Sequence, residues 1–307
     1  MKMHAISLSE HGFLRVQGED ADAFLQGQLS SDLRRLTATQ GQISSYSTAK
    51  GRMLALPQLL READGSVLLE LPARLVEPTL KRLRLFVLRA KVSLEDASPA
   101  MHSLGLIGAA TPDWLRAQNL PVPEGALATV IVPERDLLVV RRIGEHPRFS
   151  LIGSPAALDR LRGALPPDSE LAAGDPAWRR ADIEAGVPVV YPETRELFIP
   201  QMVNLDLLGG IGFDKGCYTG QEIVARLHYL GQVKRRMFVA HVEGPAPAPG
   251  SAVVTAQDQA AGEIVDAVDT GENRALTSVV VQLNHRDARL HLKDGGARMM
   301  ILTGPEH

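Results

Sequence analysis

The chain has 307 residues, 45% of them apolar, which excludes wholesale disorder and leaves room for two or three domains with real cores. Lys and Arg total 33 against 36 Asp and Glu, a net charge of −3 that argues against a histone-like or tail-driven nucleic-acid binder but leaves a local basic patch open. The single cysteine, Cys217, excludes a disulfide framework, a CxxC zinc ribbon, and an iron–sulfur cluster held on four thiolates of one copy.

The first residues, Met1 to Ser7, lack the apolar stretch of a signal peptide. Every apolar run is far shorter than the ~20 residues that span a bilayer, so a cytoplasmic protein with no membrane partner is expected. Asp20 is placed to cap a helix whose stripe is Phe24, Leu25, Leu29, Leu33 and Leu36. Three extended runs follow, 43–48, 53–60 and 66–71. Lys50-Gly51 and Asp64-Gly65 separate them, which predicts an antiparallel meander. Helical spacing resumes from Leu75 to Leu88. The second quarter repeats the pattern, with runs at 128–132, 137–143 and 148–152 before Ser154-Pro155, a cap with a first-turn proline. Two related βββα units and a chance likeness between amphipathic helices explain this repeat equally well.

Thr111-Pro112 and Asp175-Pro176 mark two more helix starts, and Gly186 with Pro188 ends the second. Strands joined mostly to neighbouring strands predict an α+β fold rather than a doubly wound parallel sheet. The hinge-like run from Gly244 to Gly250 precedes only short strands, at 252–255, 263–268, 278–283 and 299–302, which predict a small barrel or sandwich. With a break near Gly231, the expected organisation is 1–230 as two interleaved α+β subdomains and 231–307 as a C-terminal β-barrel.

The segment from Phe213 to Arg226 carries the chemistry. Thr219-x-x-Glu222 reads as a capping box, opening a helix with Ile223, Val224, Leu227 and Leu230 as its buried stripe and Gly231 as its stop. Cys217 then lies just ahead of a helix N-terminus with Lys215 two residues away. Macrodipole and ammonium both favour thiolate. A small buried hydrophobe is the competing reading of Cys217, and a plain capping residue that of Glu222. Gly209-Gly210-Ile211-Gly212 has neither dinucleotide nor P-loop spacing, and there is no HExxH or G-x-S-x-G. His285 and His291 read as surface residues, and no metal site is expected. Two basic stretches stand out, Lys81, Arg82, Arg84, Arg89, Lys91 and Arg226, Lys234, Arg235, Arg236; on one cavity they would attract a polyanion or an RNA backbone.

Lys215-Gly216-Cys217-Tyr218-Thr219-Gly220-Gln221-Glu222 resembles the signature of the YgfZ family of folate-binding proteins, relatives of the glycine-cleavage T-protein, a tetrahydrofolate-dependent aminomethyltransferase. Gly186-Val187-Pro188, the run Pro200 to Leu205, Gly209-Gly210-Ile211, Ala225-Arg226, Lys50-Gly51-Arg52 and the Val16–Gln28 segment fit the same pattern. The resemblance implies a T-protein-like fold of antiparallel α+β subdomains and a C-terminal barrel around a folate channel. Glu184 matches the glutamate that contacts the pterin in relatives. Asp182 stands where an arginine is usual, with Arg179 and Arg180 upstream. Gln201 and Asn204 would line the channel, with Lys215, Tyr218, Gln221, Glu222 and Arg226 contributing to the cofactor site and Cys217 near the folate.

The catalytic aspartate of the T-protein has no counterpart in the matching stretch, Glu70 to Leu75, and without such a carboxylate proton handling at an aminomethyl group lacks an agent. Folate binding without T-protein activity is therefore expected. The resemblance implies an accessory protein supporting iron–sulfur cluster assembly or repair, and thereby tRNA modification. Its partners would be reduced folate and iron–sulfur client or assembly proteins. The competing enzyme reading is a tetrahydrofolate-dependent one-carbon transferase or demethylase using Glu184 or Glu70 as base. An RNA-binding module on the basic stretches comes last, because few aromatics are available for base stacking.

Overall fold

The computed structural model describes residues 3–167, 169, 171–173 and 176–305. The chain divides into two compact units, one of residues 1–44 and 57–178, the other of 45–56 and 179–307. The barrel expected over 231–307 thus sits inside the second unit, sharing it with the segment that carries Cys217.

In the first unit, strands 129–132, 137–141 and 148–153 form the expected antiparallel meander. The sheet continues through 102–107 and 4–7, and 171–173 joins 4–7 in parallel at its edge. Side chains alternate across a strand. Of the helices α1–α4, at Ala21–Gln28, Val76–Arg84, Thr111–Ala117 and Pro155–Gly163, the last two supply Trp114, Leu115, Leu158 and Leu161 to the core that Leu137 and Val139 face. Leu138 and Val140 face the other way, onto Phe13, Leu60 and Leu68 of a second sheet. That five-stranded sheet runs in the order 42–43, 58–61, 67–72, 11–17, 93–96. Each sheet contains three successively paired antiparallel strands beside the strand that precedes them, 102–107 in one and 11–17 in the other, so the two sheets share this four-strand order.

The 43–60 segment departs from a simple meander. Strands 42–43 and 58–61 stay in the five-stranded sheet, whereas 46–47 and 53–55 pair with each other as a separate hairpin in the second unit. The chain leaves and re-enters at one point, where Ser44 N donates to Pro57 O at 3.0 Å. Proline has no N–H for a ladder, so Pro57 ends the run there.

Helix starts follow local chemistry in part. Ser154 accepts from Ala157 N at 3.4 Å with Pro155 in the first turn, as expected. Asp20 flanks α1 but makes no side-chain cap; its carboxylate accepts instead from Lys91 N at 2.8 Å. Helix α1 stops at Gln28, and Leu33 and Leu36 are buried from a 3₁₀ turn rather than from the same helix. Asp175, expected to cap the next helix, lies outside the described residues.

The second unit holds helices α5, Pro176–Glu184, most of which belongs to it, and α6, Gln221–Leu230. Gly186 at φ +64° takes the left-handed turn that ends α5. Six strands close a barrel in the order 235–243, 274–282, 260–271, 252–255, 290–292, 298–303. Phe238, Ala240 and Val242 fill its interior with Val253, Ile264 and Val279. Outward-facing Val239 packs with Ile183 of α5, Val268 and Leu276. No helix among the described residues is long and apolar enough to cross a membrane.

Candidate functional site

The signature segment is positioned by two glycines. Gly220 sits at the N-cap of α6 with φ +86°, and a Cβ there would meet Thr48 O at 2.6 Å. Gly51, at φ +70°, lies against the same point from the 46–55 hairpin, and a Cβ on it would come within 3.0 Å of Ile223 Cβ. Only a residue without a side chain allows this backbone approach. Lys50-Gly51-Arg52 and Thr219-Gly220-Gln221, remote in sequence, are therefore one structural feature. Met53 N donates to Phe198 O at 2.9 Å, Glu196 N to Met53 O at 2.7 Å, and Arg52 Nη1 to Leu197 O at 2.6 Å, which fixes the hairpin.

The expected capping box does not form. Helix α6 starts one residue later than Thr219-x-x-Glu222 requires, its N-cap is Gly220, and no side chain caps it. Gln221 instead turns back, accepting from Tyr218 N at 3.3 Å. Of the expected stripe only Val224 is buried; Ile223 and Leu227 are half-buried and Leu230 is 86% exposed. Glu222 and Arg226 are both exposed.

Cys217 is exposed on the loop ahead of α6, so the buried-hydrophobe reading does not hold. Lys215, by contrast, is buried, with its ammonium 4.9 Å from the centre of the Tyr218 ring, a cation–π geometry. Burial pushes the Tyr218 phenol up to about 12.

Gln201 and Asn204 hold the loop before the signature. Asn204, in the left-handed region at φ +60°, donates from Nδ2 to Met237 O at 2.8 Å and accepts from Met237 N at 3.4 Å. Both amide atoms of Asn204 thus extend the ladder of the first barrel strand. Gln201 is 1% exposed and donates from Nε2 to Val224 O at 2.7 Å. Its Oε1 has no hydrogen-bond partner among the described residues, an acceptor left open in a buried place. Arg236 bridges Gln201 O at 2.9 Å and Asp206, paired through two hydrogen bonds of 2.6 and 2.9 Å.

Glu184 ends α5, where Arg180 Nε donates to it at 2.8 Å. An arginine thus stands beside the matching glutamate, supplied one helical turn upstream instead of at position 182. Arg179 turns to the barrel and donates to Asp266, which also accepts from Tyr191 OH at 3.2 Å. Burial holds the Asp266 carboxyl above its usual range despite Arg179.

Glu70 is not a base in waiting. In the first unit its side chain is 3% exposed, 2.7 Å from His11 Nδ1 and 2.5 Å from Arg142 Nη2. Arg142 also donates to Gln58 and, at 2.7 Å, to Ser150 Oγ. Burial alone would raise the Glu70 carboxyl, but Arg142 and His11 outweigh it and hold it at about 2. Its oxygens are committed to an interior network that the sequence offered no signal for, since its members come from five separated strands or loops.

Four of the nine cations in the basic stretches form ion pairs among the described residues. Lys81 pairs with Glu77, Lys91 with Glu19, Arg235 with Glu263 and Arg236 with Asp206. The first stretch belongs to the first unit and the second to the second. A cleft of about 670 Å³ in the first unit is lined by Gln17, Gly18, Ser66 and Lys91 and includes no signature residue. No group of three or more His, Cys, Asp or Glu among the described residues could hold a metal ion.

A closed six-stranded antiparallel barrel in one chain with paired α+β sheets defines the T-protein class of fold. The crystal structure of the glycine cleavage system aminomethyltransferase T from Bartonella henselae superimposes with a TM-score of 0.73, covering 98% of this chain and 85% of that one at 15% identity. Within that class the sequence is more specific. The chain is 31% identical to the tRNA-modifying protein YgfZ of Cronobacter sakazakii, over 90% of its own length and 84% of the relative's. It is 30% identical to that of Colwellia psychrerythraea over 83% and 76%, and 36% to that of Edwardsiella ictaluri over 73% and 67%. No family model matches the chain. On these whole-chain likenesses it belongs to the YgfZ family.

Proposed function

We propose that this chain is a tetrahydrofolate-binding accessory protein that supports iron–sulfur cluster assembly or repair and, through it, tRNA modification. The observation that carries the reading is the exposed thiol of Cys217 on the signature loop of a chain belonging to a family of tRNA-modifying proteins. A lone thiol cannot hold a cluster, so Cys217 acts on a cluster or sulfur species that a partner protein carries.

The second unit's donor set suits a reduced folate. The open acceptor Gln201 Oε1 matches a heterocycle rich in N–H donors, and Glu184 offers a second acceptor of the same kind. Tyr218 and Lys215 would shape the site's wall, with Gln221 holding the turn and Asn204 holding the loop that carries Gln201. When bound, tetrahydrofolate supplies a one-carbon carrier; the protein's part is to bind and orient it beside Cys217. The enzyme alternative loses Glu70, whose carboxylate is enclosed by Arg142 and His11.

Calorimetric titration with tetrahydrofolate and its 5-formyl derivative tests the binding, and Gln201→Leu should weaken it about tenfold by removing the acceptor. Absence of heat with either folate would overturn the reading. Separately, Cys217→Ala expressed in a cell lacking the native protein should fail to restore iron–sulfur enzyme activity; full rescue would remove the thiol from the function.

A further inference from the structure

The chain has few rings, seven Phe, four Tyr and two Trp, yet the exposed end of α6 gathers two of them with a histidine. Phe213 and His228 stack with centroids 3.7 Å apart and planes inclined by 15°. Tyr229 stands edge-on to both, at 4.7 Å from His228 and 6.3 Å from Phe213. This is not core. Tyr229 is 61% exposed, His228 is exposed and Phe213 half-buried.

The charge along the segment that carries His228 and Tyr229 has one sign, while Asp214 follows Phe213. From Ile223 to Val242 the chain has four Arg or Lys and no Asp or Glu, although the whole chain carries −3. Arg235 and Arg236 are paired with acids from elsewhere in the unit. Arg226 and Lys234 are exposed and make no ion pair among the described residues, and they flank the rings on either side in sequence.

We propose that this surface binds a single-stranded stretch of RNA, with a base stacked on the exposed ring of Tyr229, which the stacked His228 and Phe213 rings support edge-on, and phosphates met by Arg226 and Lys234. Exposed rings present π-faces that any base can stack upon, and unpaired cations close to them in sequence match a backbone of regular negative charge. A protein-docking patch would be expected to carry charges of both signs on its rim, whereas the 223–242 segment has cations alone around its rings and the exposed Leu230. The inference deepens the tRNA-linked reading above, since it supplies a direct contact with the nucleic acid. It also places that contact four residues from Cys217 along the chain, at Phe213.

Fluorescence anisotropy with a labelled 12-nucleotide single-stranded RNA, repeated with bulk tRNA, tests it. Tyr229→Ala should weaken binding about tenfold. Lys234→Gln should weaken it and lower the slope of log K against log salt by about 0.7, a signature that loss of fold would not give. Both variants should keep the wild-type circular dichroism and the wild-type tetrahydrofolate titration. Absence of binding at low salt, or binding that neither variant alters, overturns the proposal. Folate binding is read on the same preparations, so its loss with RNA binding intact would count against the folate reading alone.

Discussion

Arg142→Met is expected to destabilise the first unit by about 3–5 kcal/mol, because it leaves the Glu70 carboxylate buried without its countercharge. Glu70 and Arg142 are each 3% exposed, so water cannot take over the lost role. Methionine fills much of the arginine's volume, which keeps the effect electrostatic rather than a cavity effect. Thermal melting should show a fall of roughly 10 °C for a unit of this size. Adding Glu70→Gln to Arg142→Met should recover much of the loss, since the uncompensated charge is then gone. A shift of under 2 °C for the single variant would show that the pair contributes little.

The pH dependence separates this from simple loss of packing. Glu70 titrates at about 2 in the folded chain against an ordinary value of 4.5, so its folded pKa is depressed. A depressed carboxyl contributes stability that is present above the unfolded value and is lost as pH falls from about 4.5 through about 2. In Arg142→Met the sign reverses: burial now dominates, the carboxyl takes up a proton more readily when folded, and acidification into the ordinary carboxylate range should recover stability. Urea midpoints for the two proteins between pH 7 and 4 should therefore converge as pH falls. Parallel curves would assign the variant's loss to packing.

How much of this was legible in the sequence depends on whether a signal is local. The 129–153 meander and the Ser154 cap were readable because each rests on neighbours: alternation of apolar residues, then a hydroxyl and a proline. The T-protein fold was readable through the signature and its flanks, and the fold similarity bears it out. The hairpin at 46–55 was not, because Ser44 and Pro57 merely look like positions within two long strands. Nor was the start of α6. Thr219-x-x-Glu222 satisfies the capping-box pattern, but the close approach of Thr48 O forces Gly220 into the left-handed region and moves the helix start by one residue. The Glu70 network depends on Arg142, Gln58 and Ser150 meeting across sheets, which no spacing encodes. The sequence chemistry of Cys217 fits a reactive and an inert thiol equally, and its exposure removes the inert, buried reading.

Gly220→Ala is expected to cost about 2–4 kcal/mol in the second unit, the other large effect. Two terms add. An L residue at φ +86° is strained by about 1–2 kcal/mol. The new Cβ would also stand 2.6 Å from Thr48 O, a backbone atom that cannot rotate away as a side chain could. The hairpin must shift or the first turn of α6 must open, and either displaces the loop that carries Cys217 and Tyr218. Hydrogen exchange should therefore accelerate at the first turns of α6 and at the 46–55 hairpin before it does in the barrel. Gly51→Ala should give a smaller loss of the same kind, since its Cβ would meet Ile223 Cβ at 3.0 Å. Both glycines relieve one contact, so the double variant should cost less than the sum of the two single ones. Gly216→Ala supplies the control: it lies in the same loop, without a positive φ and with nothing within 4 Å of its added carbon. It should change the urea midpoint hardly at all. If Gly220→Ala matched Gly216→Ala, the backbone approach between hairpin and signature loop would not be what holds Cys217 in place.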